Sequence, residues 1–75
     1  MIEIGDIVQI NCDLTGTQLK MGMSGVIVHK YDEQAYEIEA LDDSLADCTF
    51  AVRSEQLAVI WSVKESNERH INNVV

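Results

Sequence analysis

The side chains able to do chemistry in this chain are His29, His70, Cys12, Cys48 and a large set of carboxylates, and their spacing decides what they can do. Acid–base or nucleophilic catalysis needs a histidine beside a serine, cysteine or carboxylate that it can activate. His29 lies between Val28 and Lys30 in a β-branched run with no nucleophile at a recognisable interval, so it reads as a surface residue. A zinc site needs clustered Cys and His, whereas Cys12, His29 and Cys48 are separated by sixteen and eighteen residues and no Cys-x-x-Cys occurs. Asp42, Asp43 and Asp47 lack the alternating Asp-x-Asp-x-Asp-Gly pattern and the distal Glu of a calcium loop, so they read as a solvated turn. No catalytic residue, metal ligand or cofactor-binding residue follows from these patterns, and a non-enzymatic role is the expectation.

Charge is the more informative property. The 75 residues carry 13 Asp and Glu against 5 Lys and Arg, a formal net charge of −8, which repels phosphate backbones and argues against direct nucleic-acid binding. With 47% apolar and 24% charged residues the composition is that of a folded domain, and the length allows one. The start, Met1-Ile2-Glu3-Ile4-Gly5-Asp6, has neither a basic region nor a long apolar run, and nothing later approaches the roughly 20 apolar residues of a membrane span. A cytoplasmic protein is therefore expected, with Cys12 and Cys48 reduced and packed as small apolar residues.

The elements that must position the carboxylates are short strands. Asp6 to Ile10 places Val8 and Ile10 on one face and Gln9 on the other. Asn11 to Gly25 has no sustained period, yet Leu14, Leu19 and Met21 are too apolar to hang in water, so a long loop packed on the core is expected. Val26 to Tyr31 and Ala35 to Ala40 read as a hairpin joined by Asp32-Glu33-Gln34, with Tyr36, Ile38 and Ala40 inward and Glu37 and Glu39 outward. Asp42, Asp43 and Ser44 favour a turn. Cys48 to Arg53 is the fourth strand, with Cys48, Phe50 and Val52 sharing a face. Ser54 to Leu57 reads as a helical turn capped by Ser54, and Ala58 to Val63 as the last strand.

Five short strands in some sixty residues are expected to form one bent sheet closing as a small barrel. The order Gly5-Asp6-Ile7-Val8, long loop, Leu19-Lys20-x-Gly22-x-x-Gly25-x-Ile27-Val28, Tyr36-Glu37-Ile38-Glu39 and Glu55-Gln56-Leu57 resembles an all-β, five-stranded SH3-like barrel. The same cues closely resemble a small, mostly bacterial family catalogued as domain of unknown function 4926, over Ile4 to Ile60. Gly22 and Gly25 are read as turn-forming residues and not as a phosphate cradle, because a strand and not a helix follows them. Residues 1–63 are assigned to the barrel and 64–75 to a C-terminal tail, frayed or briefly helical, whose Ile71, Val74 and Val75 are apolar enough to dock.

The family's resemblance to small partner proteins encoded beside larger toxin domains implies an immunity or antitoxin role. In this chain the carriers of such a role are Glu37 and Glu39, with Asp32 and Glu33 before them and Asp42 and Asp43 after, six carboxylates along one hairpin that a basic toxin or nuclease would neutralise. Trp61 is the candidate aromatic anchor, either exposed or packed beneath the tail. In a sharper form the carboxylates stand in for phosphates and mimic a nucleic acid. The alternative is a small accessory subunit of a larger enzyme, held by Trp61 and the apolar tail. Self-association and the identity of the partner stay open.

Overall fold

A computed structural model gives the architecture and describes residues 2–65. Five strands, β1 (Ile7–Ile10), β2 (Ser24–Asp32), β3 (Ala35–Ala40), β4 (Thr49–Arg53) and β5 (Leu57–Trp61), form one antiparallel sheet in the order β4-β3-β2-β1-β5. A 3₁₀ turn over Asp43–Leu45 links β3 to β4, and another over Ser54–Gln56 leads into β5. This is the strand order and the placing of the short helical turn expected of an SH3-like fold. Closure is the point of difference, because β4 and β5 are not hydrogen-bonded to each other and the sheet stays open at both. The 3₁₀ turn bridges that gap.

Period two is obeyed where it was clearest. In β3, Tyr36, Ile38 and Ala40 are buried while Glu37 and Glu39 point outward, and Val8 and Ile10 of β1 are buried around Gln9. The buried ones, with Leu14, Leu19, Ile27, Leu45, Val52 and Leu57, make the core. The Tyr36 hydroxyl donates to Glu33 O at 3.1 Å, so a buried ring keeps its polar end satisfied. Register shifts at Val28 in β2 and at Ile60 in β5 each insert a residue without an opposite partner, which bends the sheet around this core.

Several expectations are corrected by packing. Met21 is 66% exposed, while buried Leu14 and Leu19, with partly buried Cys12 and Met23, pin the long loop to the core, and Leu14 N–H donates to Leu19 O. Cys48 is exposed and precedes β4; only Phe50 and Val52 keep the inward face, and both cysteines are free thiols. The turn before β5 is capped by Gln56, whose Oε1 accepts the Arg53 N–H at 2.9 Å, and not by Ser54. Gly22 does take a left-handed turn, at φ 94°. Gly25 serves a different purpose: it pairs with Val8 and Ala40, and a Cβ there would lie 3.1 Å from both Glu39 O and Ile38 Cδ1, so it is a point of close approach between strands. Strand β5 ends at Trp61, two residues early, because Val63, Lys64 and Glu65 take helical backbone and Glu65 N–H donates to Ser62 Oγ at 3.3 Å. Apart from Lys64 and Glu65, the expected tail, with His70, Ile71, Val74 and Val75, lies outside the described residues.

Candidate functional site

The outward face of the sheet brings together three of the residues singled out above, Glu37, Glu39 and Trp61. Its register runs Trp61 opposite Ile7, Ile7 opposite Val26, Val26 opposite Glu39 and Glu39 opposite Thr49, one row across all five strands. A second row places His29 opposite Glu37 and Glu37 opposite Ala51. Trp61 and Glu39 are thus three strand spacings apart, about 14 Å, with Ile7 and Val26 bridging them. That breadth suits a macromolecular surface and not a pocket for a small molecule. Trp61 is 44% exposed, and Ile60, at the bulge beside it, is exposed as well.

Glu37 is the fixed point of this face. Its two carboxylate oxygens accept hydrogen bonds from Thr49 Oγ1 at 2.5 Å and from Tyr31 Oη at 2.7 Å. Those two bonds, with the nearby His29, hold its pKa below the ordinary carboxylate value, against a small opposing effect of desolvation. The Tyr31 ring is in turn met edge-on by His29, with centroids 4.6 Å apart. Glu37 is therefore an ionised, oriented charge and not a loose surface carboxylate.

The other candidates are held differently. Asp32 Oδ1 accepts Gln34 N–H at 2.7 Å and Glu33 pairs with Lys30 at 3.3 Å, raising the lysine's pKa, so both serve the two-residue hairpin turn. Asp42 Oδ1 accepts both the hydroxyl and the N–H of Ser44, which lowers its pKa and caps the 3₁₀ turn. Among the described residues the carboxylates of Glu39 and Asp43 have no hydrogen-bond or ion-pair partner. The six carboxylates do not act as one stripe: Glu37 and Glu39 occupy the open face, while Asp32, Glu33 and Asp42 stabilise turns.

With that geometry in hand the chain can be placed among known proteins. The family model described as "Domain of unknown function (DUF4926)" matches residues 4–59. The chain belongs to that family. The match takes in all of β1 to β4, the 3₁₀ turn before β5 and β5 as far as Val59, so it contains Ile7, Val26, Glu37 and Glu39 of the outward face, while Trp61 lies two residues beyond it. No curated protein and no solved structure matches significantly. Among the described residues no group of three or more His, Cys, Asp or Glu is arranged to hold a metal ion, and no helix is long and apolar enough to cross a membrane.

Residues that sequence reasoning missed are the supports: Tyr31 and Thr49, which hold Glu37, and Ile7 and Val26, which link Trp61 to Glu39. Removing both donors, in Tyr31→Phe with Thr49→Val, is expected to move the Glu37 titration up toward the ordinary carboxylate range, read from its side-chain carboxyl by NMR. The sign follows from linkage. A depressed folded-state pKa adds stability above the unfolded value and loses it as pH falls through the folded value, so the double variant should also show a weaker acid-side decline. An unmoved titration would mean these bonds do not form in solution.

Proposed function

We propose that this chain is a non-enzymatic protein-binding module that seats a basic partner on the outward face of its sheet, acting in the bacterial cytoplasm as an immunity protein or antitoxin toward a toxin or nuclease. The observation that carries the reading is the row from exposed Trp61 through Ile7 and Val26 to Glu39, beside an oriented and ionised Glu37, in a chain of net charge −8. An apolar centre with a charged margin is the usual anatomy of a protein interface. Two carboxylates of like sign on one face favour a cationic partner, and the immunity role is the form suggested by the family resemblance. If the carboxylates stand in for phosphates, DNA or RNA competes for the same target.

Affinity capture of the tagged full chain from its native lysate, at low and high salt, tests this. One stoichiometric partner released at high salt is the expected result. A second reading, an accessory subunit of a larger enzyme, draws on the exposed Val59, Ile60 and Trp61 of β5 and predicts a partner that resists salt. Recovery of the chain alone overturns both.

A further inference from the structure

Strand β5 closes one side of an open sheet. Asn11 N–H donates to Gln56 O at 3.0 Å and Gln9 faces Ala58, so Gln56 and Ala58 direct their backbone groups toward β1. Alternation turns Leu57 and Val59 the opposite way. Ile10, which faces Leu57, agrees: its N–H goes to Met23 O and its carbonyl accepts Gly22 N–H, both on the side away from β5. The Leu57 N–H is closed into the 3₁₀ turn by Ser54 O. That leaves Leu57 C=O, Val59 N–H and Val59 C=O with no partner among the described residues, a short but complete template for one pairing position.

Edges of this kind are normally blunted by charge or proline, and β5, Leu-Ala-Val-Ile-Trp, carries neither. Its Val59, Ile60 and Trp61 side chains are 42%, 54% and 44% exposed. Such an edge calls for an occupant. A second copy of this chain would set −8 against −8 at close range, whereas a cationic segment gains from the same field and can place a guanidinium or ammonium on the Trp61 ring.

We propose that the outer edge of β5 receives an extended, cationic strand of the partner protein, adding a sixth strand to the sheet through Val59, with the incoming side chains of one face packing on Val59 and those of the other lying beside Trp61. The proposal rests on the reading above that the partner is a basic protein. It adds where on the molecule the partner's main chain goes, and by which hydrogen bonds.

The probe is a synthetic peptide, Lys-Val-Lys-Val-Lys-Val-Lys, added to the full chain, with emission from Trp61, the only tryptophan, as readout. Saturable binding should shift that emission and slow amide exchange at Val59. Val59→Pro removes the outward N–H without touching a β1 hydrogen bond and should lower affinity about tenfold or more, with the thermal midpoint reporting that the fold survives. Should that variant unfold, N-methylating the peptide's central residues removes the incoming donors instead, and the same loss is expected. Binding that is indifferent to both changes but lost in Glu37→Lys with Glu39→Lys would sink the edge and leave the acidic-face reading standing. A Val59 amide already protected in the free monomer, or a dimer seen by light scattering, would give the edge to the chain itself and overturn the proposal. An unmoved Trp61 emission would do the same.

Discussion

Asp6→Ala is expected to lower the stability of this protein by about 2–4 kcal/mol, the penalty for leaving two partly buried backbone donors without acceptors. Asp6 is 0% exposed, the one buried charged side chain among the described residues. Its Oδ2 accepts Glu3 N–H at 2.9 Å and its Oδ1 accepts Val63 N–H at 3.0 Å, so one carboxylate clasps the segment before β1 to the segment after β5. Its backbone is tied in as well, through Asp6 N–H to Glu3 O and Ile27 N–H to Asp6 O. In a domain this small, 2–4 kcal/mol is a large share of a typical total of about 5–15 kcal/mol. Asp6→Asn keeps the shape but can accept at only one atom, so its loss should fall between wild type and alanine. Urea unfolding measures both, and faster amide exchange at Val63 would localise the effect. An alanine variant within about 0.5 kcal/mol of wild type would mean that the clasp contributes nothing.

Asp6 shows what the sequence does not display. The pair Gly5-Asp6 is legible as the entry to a strand, and Val8 and Ile10 announce their inward face by alternation. That Asp6 goes inward as well, on the same side as Val8, follows from period two only if a carboxylate is allowed in the core, and its partner Val63 is 57 residues away. Local patterns carry local structure. They located β1, matched β3 residue for residue and placed the helical turn before β5, because each depends on near neighbours. They were blind to whether β4 and β5 would join, which depends on the whole sheet's curvature.

The outward face was half legible for the same reason. Glu37 and Glu39 alternate with Tyr36, Ile38 and Ala40, and no other face was available to them. What period two could not give was their neighbours across strands, because the bulges at Val28 and Ile60 shift the register by one residue on either side of β1. Without the first shift His29 would not face Glu37, and without the second Trp61 would not line up with Ile7 and Val26. Spreading the six carboxylates evenly along the hairpin ignored a local competition: Asp32 and Asp42 sit two residues before an N–H they can accept, and in each case that bond forms. Glu side chains on a strand have no such local option, so Glu39 stays unpaired and Glu37 is instead held by Tyr31 and by Thr49 of the next strand.

Charge reversal at Glu37 and Glu39 together should slow association with the captured partner about ten- to a hundredfold at low salt. Each substitution to lysine changes the charge by two, so the pair takes the chain from −8 to −4 and places two cations where the oriented carboxylates stood. The rates of variant and wild type should converge as salt rises, since screening removes the steering that distinguishes them. Dissociation is expected to respond less to this pair than to Trp61→Ala, which removes the apolar anchor at the far end of the row. Glu39→Lys alone is the cleaner half of the test, because Glu39 has no partner to lose among the described residues, whereas Glu37→Lys also breaks the bonds from Thr49 and Tyr31. Stopped-flow or surface-based kinetics over a salt series decides the matter. Rates that coincide at every salt concentration would take the outward face out of the interface, and a change confined to the Glu37 variant would trace to its lost cross-strand support and not to its charge.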